Sequence, residues 1–179
     1  MLERPRAEDP YAKLPALPSF TVTSTDVSDG AQMPIKLAFG DAGEGAQNLS
    51  PQLSWSGYPE DTQSFVVTCY DPDAPTPSGF WHWIVVDIPA SVNSLDTGAG
   101  GGNLPAGAIA IKSDWGMTDY GGPLPPESDP VGPHRYYFAV HAVREPKLGV
   151  DGSASPAYVS FNLAFKASAR GLIVPTFAR

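Results

Sequence analysis

The stretch Phe20 to Thr25, FTVTST, alternates apolar and polar residues as a half-buried strand does. Further strand candidates are IKLAF (35–39), QLSW (52–55), SFVVTCYD (64–71), FWHWIVVDI (80–88), AIAI (108–111) and RYYFAVHAV (135–143). SFVVTCY and FWHWIVVDI are nearly continuous in β-branched and aromatic residues. A strand covered on both faces reads that way, so these two are expected to be central. One helix is predicted near the C-terminus: Ser155 caps it, Pro156 suits its first turn, and Tyr158, Phe161, Asn162 and Phe165 share a face. Gly171 should end it, with LIVPTF as a closing strand. The connections DTGAGGGNLPAG (96–107) and the Pro-rich run Asp114 to Pro133 are long and irregular, which is uncommon unless a loop serves a function. The pattern predicts a mainly β fold, a two-sheet antiparallel β sandwich with one principal C-terminal helix and long irregular loops.

Composition sharpens this picture. The 20 prolines and 18 glycines among 179 residues make long helices hard to place and turns frequent. A hydrophobic fraction of 42% is ordinary for a globular chain and excludes a disordered one. The formal charge of −8 and pI near 4.6 argue against a nucleic-acid partner, which would select clustered Lys and Arg. The single cysteine, Cys69, excludes an intrachain disulfide and reads as a buried small hydrophobe. No stretch has the length of a signal peptide core or of a membrane span, so the cytoplasm is the expected compartment. Residues 1–18, broken by Pro5, Pro10, Pro15 and Pro18, read as an extended N-terminal arm, and residues 19–179 as a single domain.

Three places concentrate polar residues beside apolar strands. Asp71-Pro72-Asp73-Ala74-Pro75 closes SFVVTCY, and two aspartates at i and i+2 on an extended backbone should point the same way. A plain Asp-Pro turn would explain the same residues. His82, between Trp81 and Trp83, must satisfy both ring nitrogens away from bulk water, as a core histidine bonded to backbone would. His134 and Tyr136 share a face at the start of another apolar strand, whereas His141 falls on the opposite face and is assigned to the core. The motifs GxSxG, HExxH, CxxC and GxxxxGK[ST] are absent. Two histidines and a carboxylate are a possible metal triad, but they come from three separate segments and their spacing is uninformative; no metal and no cofactor are expected.

The run LSPQLSWSGYPEDTQSFVVTCYDPDAPTPSGFWHWIVVDIP, followed by DYGGPLPP and PHRYYFAVHA, resembles the phosphatidylethanolamine-binding protein family in its bacterial and archaeal Raf-kinase-inhibitor-like branch. The resemblance implies a β sandwich with a small anion-binding cavity. By motif it places the pocket on Asp71 and Asp73 of DPDAP, on His82, on Gly122 and Pro125 of GGPLPP, and on His134 and Tyr136 of HRY. Leu124 stands where bacterial members often have cysteine, and PPESDPVGPH is longer than the usual loop before the histidine, so a different rim is expected. The chain ends soon after LIVPTFAR, without the segment that partly covers the pocket in animal members.

Carboxylates repel phosphate, so two aspartates in an anion pocket should act through imidazole, holding the rings and favouring their protonated form. Main-chain N–H groups of Gly121 and Gly122 and the Tyr136 hydroxyl would add donors. A phosphate-like anion or a phosphoethanolamine-type zwitterion is then the expected ligand, and the family resemblance implies a binding or regulatory module that inhibits a kinase or protease. The other class is an enzyme using His and Asp as acid and base on a small phosphate ester or ester. Two further expectations concern geometry and assembly. A cis X-Pro bond, such as Ala74-Pro75, is expected beside the pocket. A homodimer is expected because Tyr11, Leu14, Leu17 and Phe20 give the arm apolar anchors that must cover its own body or a partner's.

Overall fold

The computed structural model describes residues 3–179. Its strands are β1 (Thr21–Thr23), β2 (Leu53–Ser56), β3 (Ser64–Asp71), β4 (Phe80–Pro89), β5 (Ser94–Leu95), β6 (Ile109–Ala110), β7 (His134–Arg135), β8 (Tyr137–Val143), β9 (Ala167–Ile173) and β10 (Thr176–Phe177), with a single α-helix, α1 (Pro156–Lys166), among the described residues. Five strands form an antiparallel sheet in the order β6-β4-β3-β8-β9, three form a smaller sheet β1-β2-β5, and β7 pairs with β10.

The large sheet is covered on both faces, which is why β3 and β4 carry almost no polar positions. Phe65, Val67 and Cys69 of β3 join Trp83 and Val85 of β4 in a core shared with Leu53, Trp55 and Leu95 of the smaller sheet. Val66, Ile84 and Val86 point the other way and pack with Val159 and Leu163 of α1. Alternate residues of one strand thus serve two cores, and both must be apolar.

Several local expectations are corrected. IKLAF is not a strand: Ile35–Leu37 forms a 3-10 turn, with the N–H groups of Leu37 and Ala38 bonded to Pro34 and Ile35 carbonyls at 3.0 and 2.9 Å. RYYFAVHAV is not one strand but two, because Tyr136 turns away to donate its N–H to Pro175 (2.9 Å) and the chain changes sheets there. Ser155 does cap α1, its Oγ accepting from the Tyr158 N–H at 3.2 Å. The face shared by Tyr158, Phe161 and Phe165, however, is the outward one (52, 60 and 75% exposed), because Val159 and Leu163 meet the sheet. The helix stops at Lys166, and Gly171 lies inside β9, where β1 crosses so closely that an added Cβ would come within 2.5 Å of Val22 Cγ2. No described peptide bond is cis; the loops beside the pocket turn instead on left-handed glycines, Gly79 (φ 64°) and Gly132 (φ 82°).

The N-terminal arm lies over its own chain. The Tyr11 ring packs 6.1 Å from the rings of Tyr137 and His141, and the Arg170 guanidinium sits 4.1 Å from its centroid. Burial raises the Tyr11 phenol to about 12. The Arg170 N–H donates to the Pro18 carbonyl at 2.9 Å, and Ser19 bridges to Arg170. Of the two ways the arm's anchors could be covered, Tyr11 takes the first, packing on its own chain, while Leu14 stays exposed. Among the described residues no helix is long and apolar enough to cross a membrane.

Gly171→Ala should destabilise the protein by about 1–3 kcal/mol, the usual cost of overpacking a filled contact. Urea unfolding measures it, and an unchanged midpoint would show that β1 can retreat from β9 without loss.

Candidate functional site

The site forms where β3 and β4 run out of the sheet. Asp71 is the last residue of β3, and its Oδ1 accepts the Asp73 N–H at 2.8 Å, closing a turn around Pro72. That turn ends the pleat, so the i, i+2 rule no longer applies to Asp73. Instead of joining Asp71, the Asp73 carboxylate accepts from Arg135 Nε and Nη2 (2.8 Å each) and from the Arg135 N–H (3.0 Å).

His82 owes its position to a β-bulge. Cys69 pairs with Trp83 and Tyr70 with Trp81, so His82 has no partner across the ladder. An extra residue of this kind re-aims a side chain, and such bulges are common beside binding sites. His82 Nδ1 lies 2.6 Å from the Gly121 carbonyl, which requires a proton on that nitrogen. The Trp115 indole N–H, 3.3 Å from the same atom, therefore packs beside it without donating to it. This leaves Nε2 as the nitrogen available to the cavity that the ring lines.

That cavity has a volume of about 220 Å³. Asp71, His82, His134 and Tyr136 line it, Phe80, Trp115 and Leu124 give it apolar walls, and Ala74 to Thr76 face Pro125 and Pro126 across it. Of the seven residues the sequence pointed to, Asp71, His82, Pro125, His134 and Tyr136 are in this lining and Asp73 and Gly122 are not. Gly122 serves packing: an added Cβ would strike the backbone of Leu37 to Phe39, and its N–H donates to Asn48 Oδ1 at 2.7 Å. The Gly121 N–H donates to the His82 carbonyl at 3.1 Å. Both glycine donors expected to meet a ligand are thus engaged within the protein.

His134 is held between two carboxylates. Its Nδ1 is 2.8 Å from Asp71 Oδ2 and its Nε2 is 3.1 Å from Asp129 Oδ2. Asp129 lies in the long loop before the histidine and is bound in turn by Arg4 of the arm, with Nη1 at 2.6 Å and Nη2 at 3.0 Å. Sequence reasoning missed Asp129, Arg4, Arg135 and Trp115. The unusual loop length was the only signal for Asp129, and a pair 125 positions apart leaves none for Arg4.

The environments divide the titrating groups. Burial holds His82 below the ordinary histidine value, against the opposing pull of Asp71 and the Gly121 and Gly122 carbonyls. Burial also disfavours the His134 imidazolium, but the hydrogen bonds and charges of Asp71 and Asp129 outweigh it and the net shift is upward. The Arg4 hydrogen bonds hold Asp129 well below the usual carboxylate range despite desolvation. Burial keeps the Tyr136 phenol protonated. His141, buried and beside Arg170, is pushed down to about 3 and lies outside the site.

Comparison with known proteins gives one answer. Residues 23–178 match the family profile described as phosphatidylethanolamine-binding protein. The UPF0098 protein YbhB of Escherichia coli K12 is 43% identical over 157 residues, covering 87% of this chain and 98% of the relative. The UPF0098 protein YbcL of the same organism is 44% identical over 162 residues, covering 89% of this chain and 87% of the relative. The crystal structure of E. coli YbcL, described as a new member of the mammalian PEBP family, superimposes with a TM-score of 0.84 at 43% identity, over 90% of this chain and 99% of that one. The phosphatidylethanolamine-binding protein homologue CT736 of Chlamydia trachomatis does so with a TM-score of 0.75 at 25% identity, over 90% and 98%.

The three histidines should separate in an NMR pH titration: His134 above about 6.5, His82 below it, and His141 near 3. The folded state of His134 holds a proton that the unfolded chain has lost, so its stabilising contribution is present below about 6.5 and disappears as pH rises through its folded value. His82 and His141 act in the opposite sense, their contribution being present above about 6.5 and lost on acidification. A His82 titrating above His134 would reverse the assignment of the two roles.

Proposed function

Because the chain belongs to the phosphatidylethanolamine-binding protein family, we propose that its cavity holds a small phosphate-type headgroup, of the phosphoethanolamine kind, and that the protein acts as a cytoplasmic binding module of the inhibitor type. One observation carries the reading: His82 Nε2 and the Tyr136 hydroxyl, neither with a hydrogen bond to another described residue, line one cavity of about 220 Å³ beside the protonatable His134. Drug-sized pockets run from roughly 300 Å³ upward, so this volume suits a headgroup and leaves acyl chains outside.

The ring of His82 already spends its Nδ1 proton on Gly121, so in its neutral form Nε2 only accepts. An oxyanion therefore enters together with one proton, either on His82 or on the ligand's own oxygen, whose second pKa is about 6 for a phosphomonoester. The Tyr136 phenol, kept protonated by burial, donates to a second oxygen. His134 has both nitrogens engaged and contributes its charge rather than a direct bond. An ammonium group would find Asp71, which retains free lone pairs, and the faces of Phe80 and Trp115.

Binding without turnover fits the lining. It contains no serine or cysteine, and its one aliphatic hydroxyl, Thr76, donates to the Gly79 carbonyl. Cys69 is buried in the core, where desolvation raises its thiol well above the ordinary value.

Calorimetry with inorganic phosphate and with phosphoethanolamine should give affinity that tightens as pH falls through about 6. A flat profile between pH 5 and 8 would remove the proton from the mechanism. Tyr136→Phe should weaken phosphate by roughly tenfold or more, as expected for a lost hydrogen bond to a charged group. Measurable turnover on a panel of esters and phosphoesters would overturn the binding-only reading in favour of acid–base catalysis by His82 and Asp71.

A further inference from the structure

Three carboxylates beside the cavity are almost completely out of water: the side chains of Asp71, Asp73 and Asp129 are 4, 0 and 2% exposed. The domain itself meets them with Arg135, paired to Asp73 at 2.8 Å, and with His134 when it is protonated. Among the described residues, the remaining cations come from the N-terminal arm. Arg4 forks onto Asp129 and also donates to the Asp73 main-chain carbonyl. Arg6 places Nη2 3.8 Å from Asp73 Oδ2 and donates to the Pro133 carbonyl at 3.0 Å. Arg135 reaches back to the Ala7 carbonyl at 2.6 Å, so the arm is tied to both segments that flank the cavity.

A charge count shows what this does. Without the arm, the three carboxylates outnumber Arg135 and a protonated His134 by one negative charge, and by two when His134 is neutral. With Arg4 and Arg6 in place, the same cluster carries one net positive charge with His134 protonated and none with it neutral. We propose that the N-terminal arm is a working part of the headgroup site, Arg4 above all, because its guanidinium cancels Asp129 and leaves the His134 charge free to attract an oxyanion. This rests on the headgroup reading above. Arg4 is a positioning and charge-setting residue; it does not line the cavity. The Asp129 hydrogen bonds raise the Arg4 guanidinium further above its ordinary value against desolvation, with smaller contributions from the charges of Asp129, Asp71 and Asp73.

Reciprocity follows: if the docked arm favours the anion, the anion must favour the docked arm by the same factor. A strap that merely stabilised the fold would show no such linkage and no dependence on the sign of charge.

The test measures inorganic phosphate affinity of the full chain and four variants at pH 6. Arg4→Met should bind about tenfold more weakly, from loss of one charge at short range in a partly buried site. Arg4→Lys should fall between the parent and Arg4→Met, since the charge is kept while the fork onto Asp129 is lost. Arg4→Met with Asp129→Asn should bind more tightly than Arg4→Met, because the stranded carboxylate is removed with its partner, and Asp129→Asn alone should bind at least as tightly as the double variant, because Arg4 still adds its charge. Phosphate should also slow tryptic cleavage after Arg6 in the parent. If Arg4→Met binds as the parent does, or the double variant stays as weak as Arg4→Met, the inference is overturned while the headgroup reading stands. If neither parent nor variants bind millimolar phosphate, the headgroup reading fails and takes the inference with it.

Discussion

A buried carboxylate left without a partner is among the least tolerable features a fold can carry, and this chain gathers three buried carboxylates, each partnered, at one end of its main sheet. Much of the surrounding structure answers to them. The Asp71 turn, the strand that switches sheets at Tyr136, the loop bearing Asp129 and the N-terminal arm come from three distant parts of the chain, and apolar packing of Tyr136 and Tyr11 accounts for only part of their meeting. They meet also because each brings a cation, an imidazole or an N–H to a carboxylate oxygen. Breaking one such pair leaves the other charge stranded, so the pieces hold their places collectively.

The sheet beneath is of a different kind. β3 and β4 are packed on both faces by apolar side chains and offer a frame that does not depend on charge. The polar cluster stands at the frame's edge, where the ladder ends and turns begin. This division lets the cavity hold a proton-dependent set of groups without asking the core to titrate, His141 excepted, and burial keeps that histidine neutral to about 3.

What was legible in the sequence follows the same line. SFVVTCYD and FWHWIVVDI declared themselves because coverage on two faces forces a continuous apolar run. IKLAF misled because only Leu37 and Ala38 of its five residues are buried, which a short turn achieves as well as a strand. The aromatic stripe of α1 was visible as a stripe, but periodicity does not tell which side meets the protein; the smaller Val159 and Leu163 take that side. Of the residues named by motif, Asp71, His134 and Tyr136 reach the cavity lining, whereas Asp73 and Gly122 lie outside it for local reasons, a pleat that stops and a backbone packed against Gly122. Arg4 and Asp129 were illegible because their relation is purely tertiary.

The bulge at His82 has a consequence for how such a site can change over time. The pairs Cys69 with Trp83 and Tyr70 with Trp81 close the ladder on either side of it. A strand shortened by that one residue would keep both ladder pairs but lose the two bonds that tie His82 to Gly121. The histidine is thus an insertion in the ladder, held by the Gly121 loop and not by a partner strand. Selection for stability alone would favour a regular strand, so retention of the extra residue sets usefulness against robustness. A lineage could lose the site in a single codon deletion while the pairs on either side of it still closed the ladder.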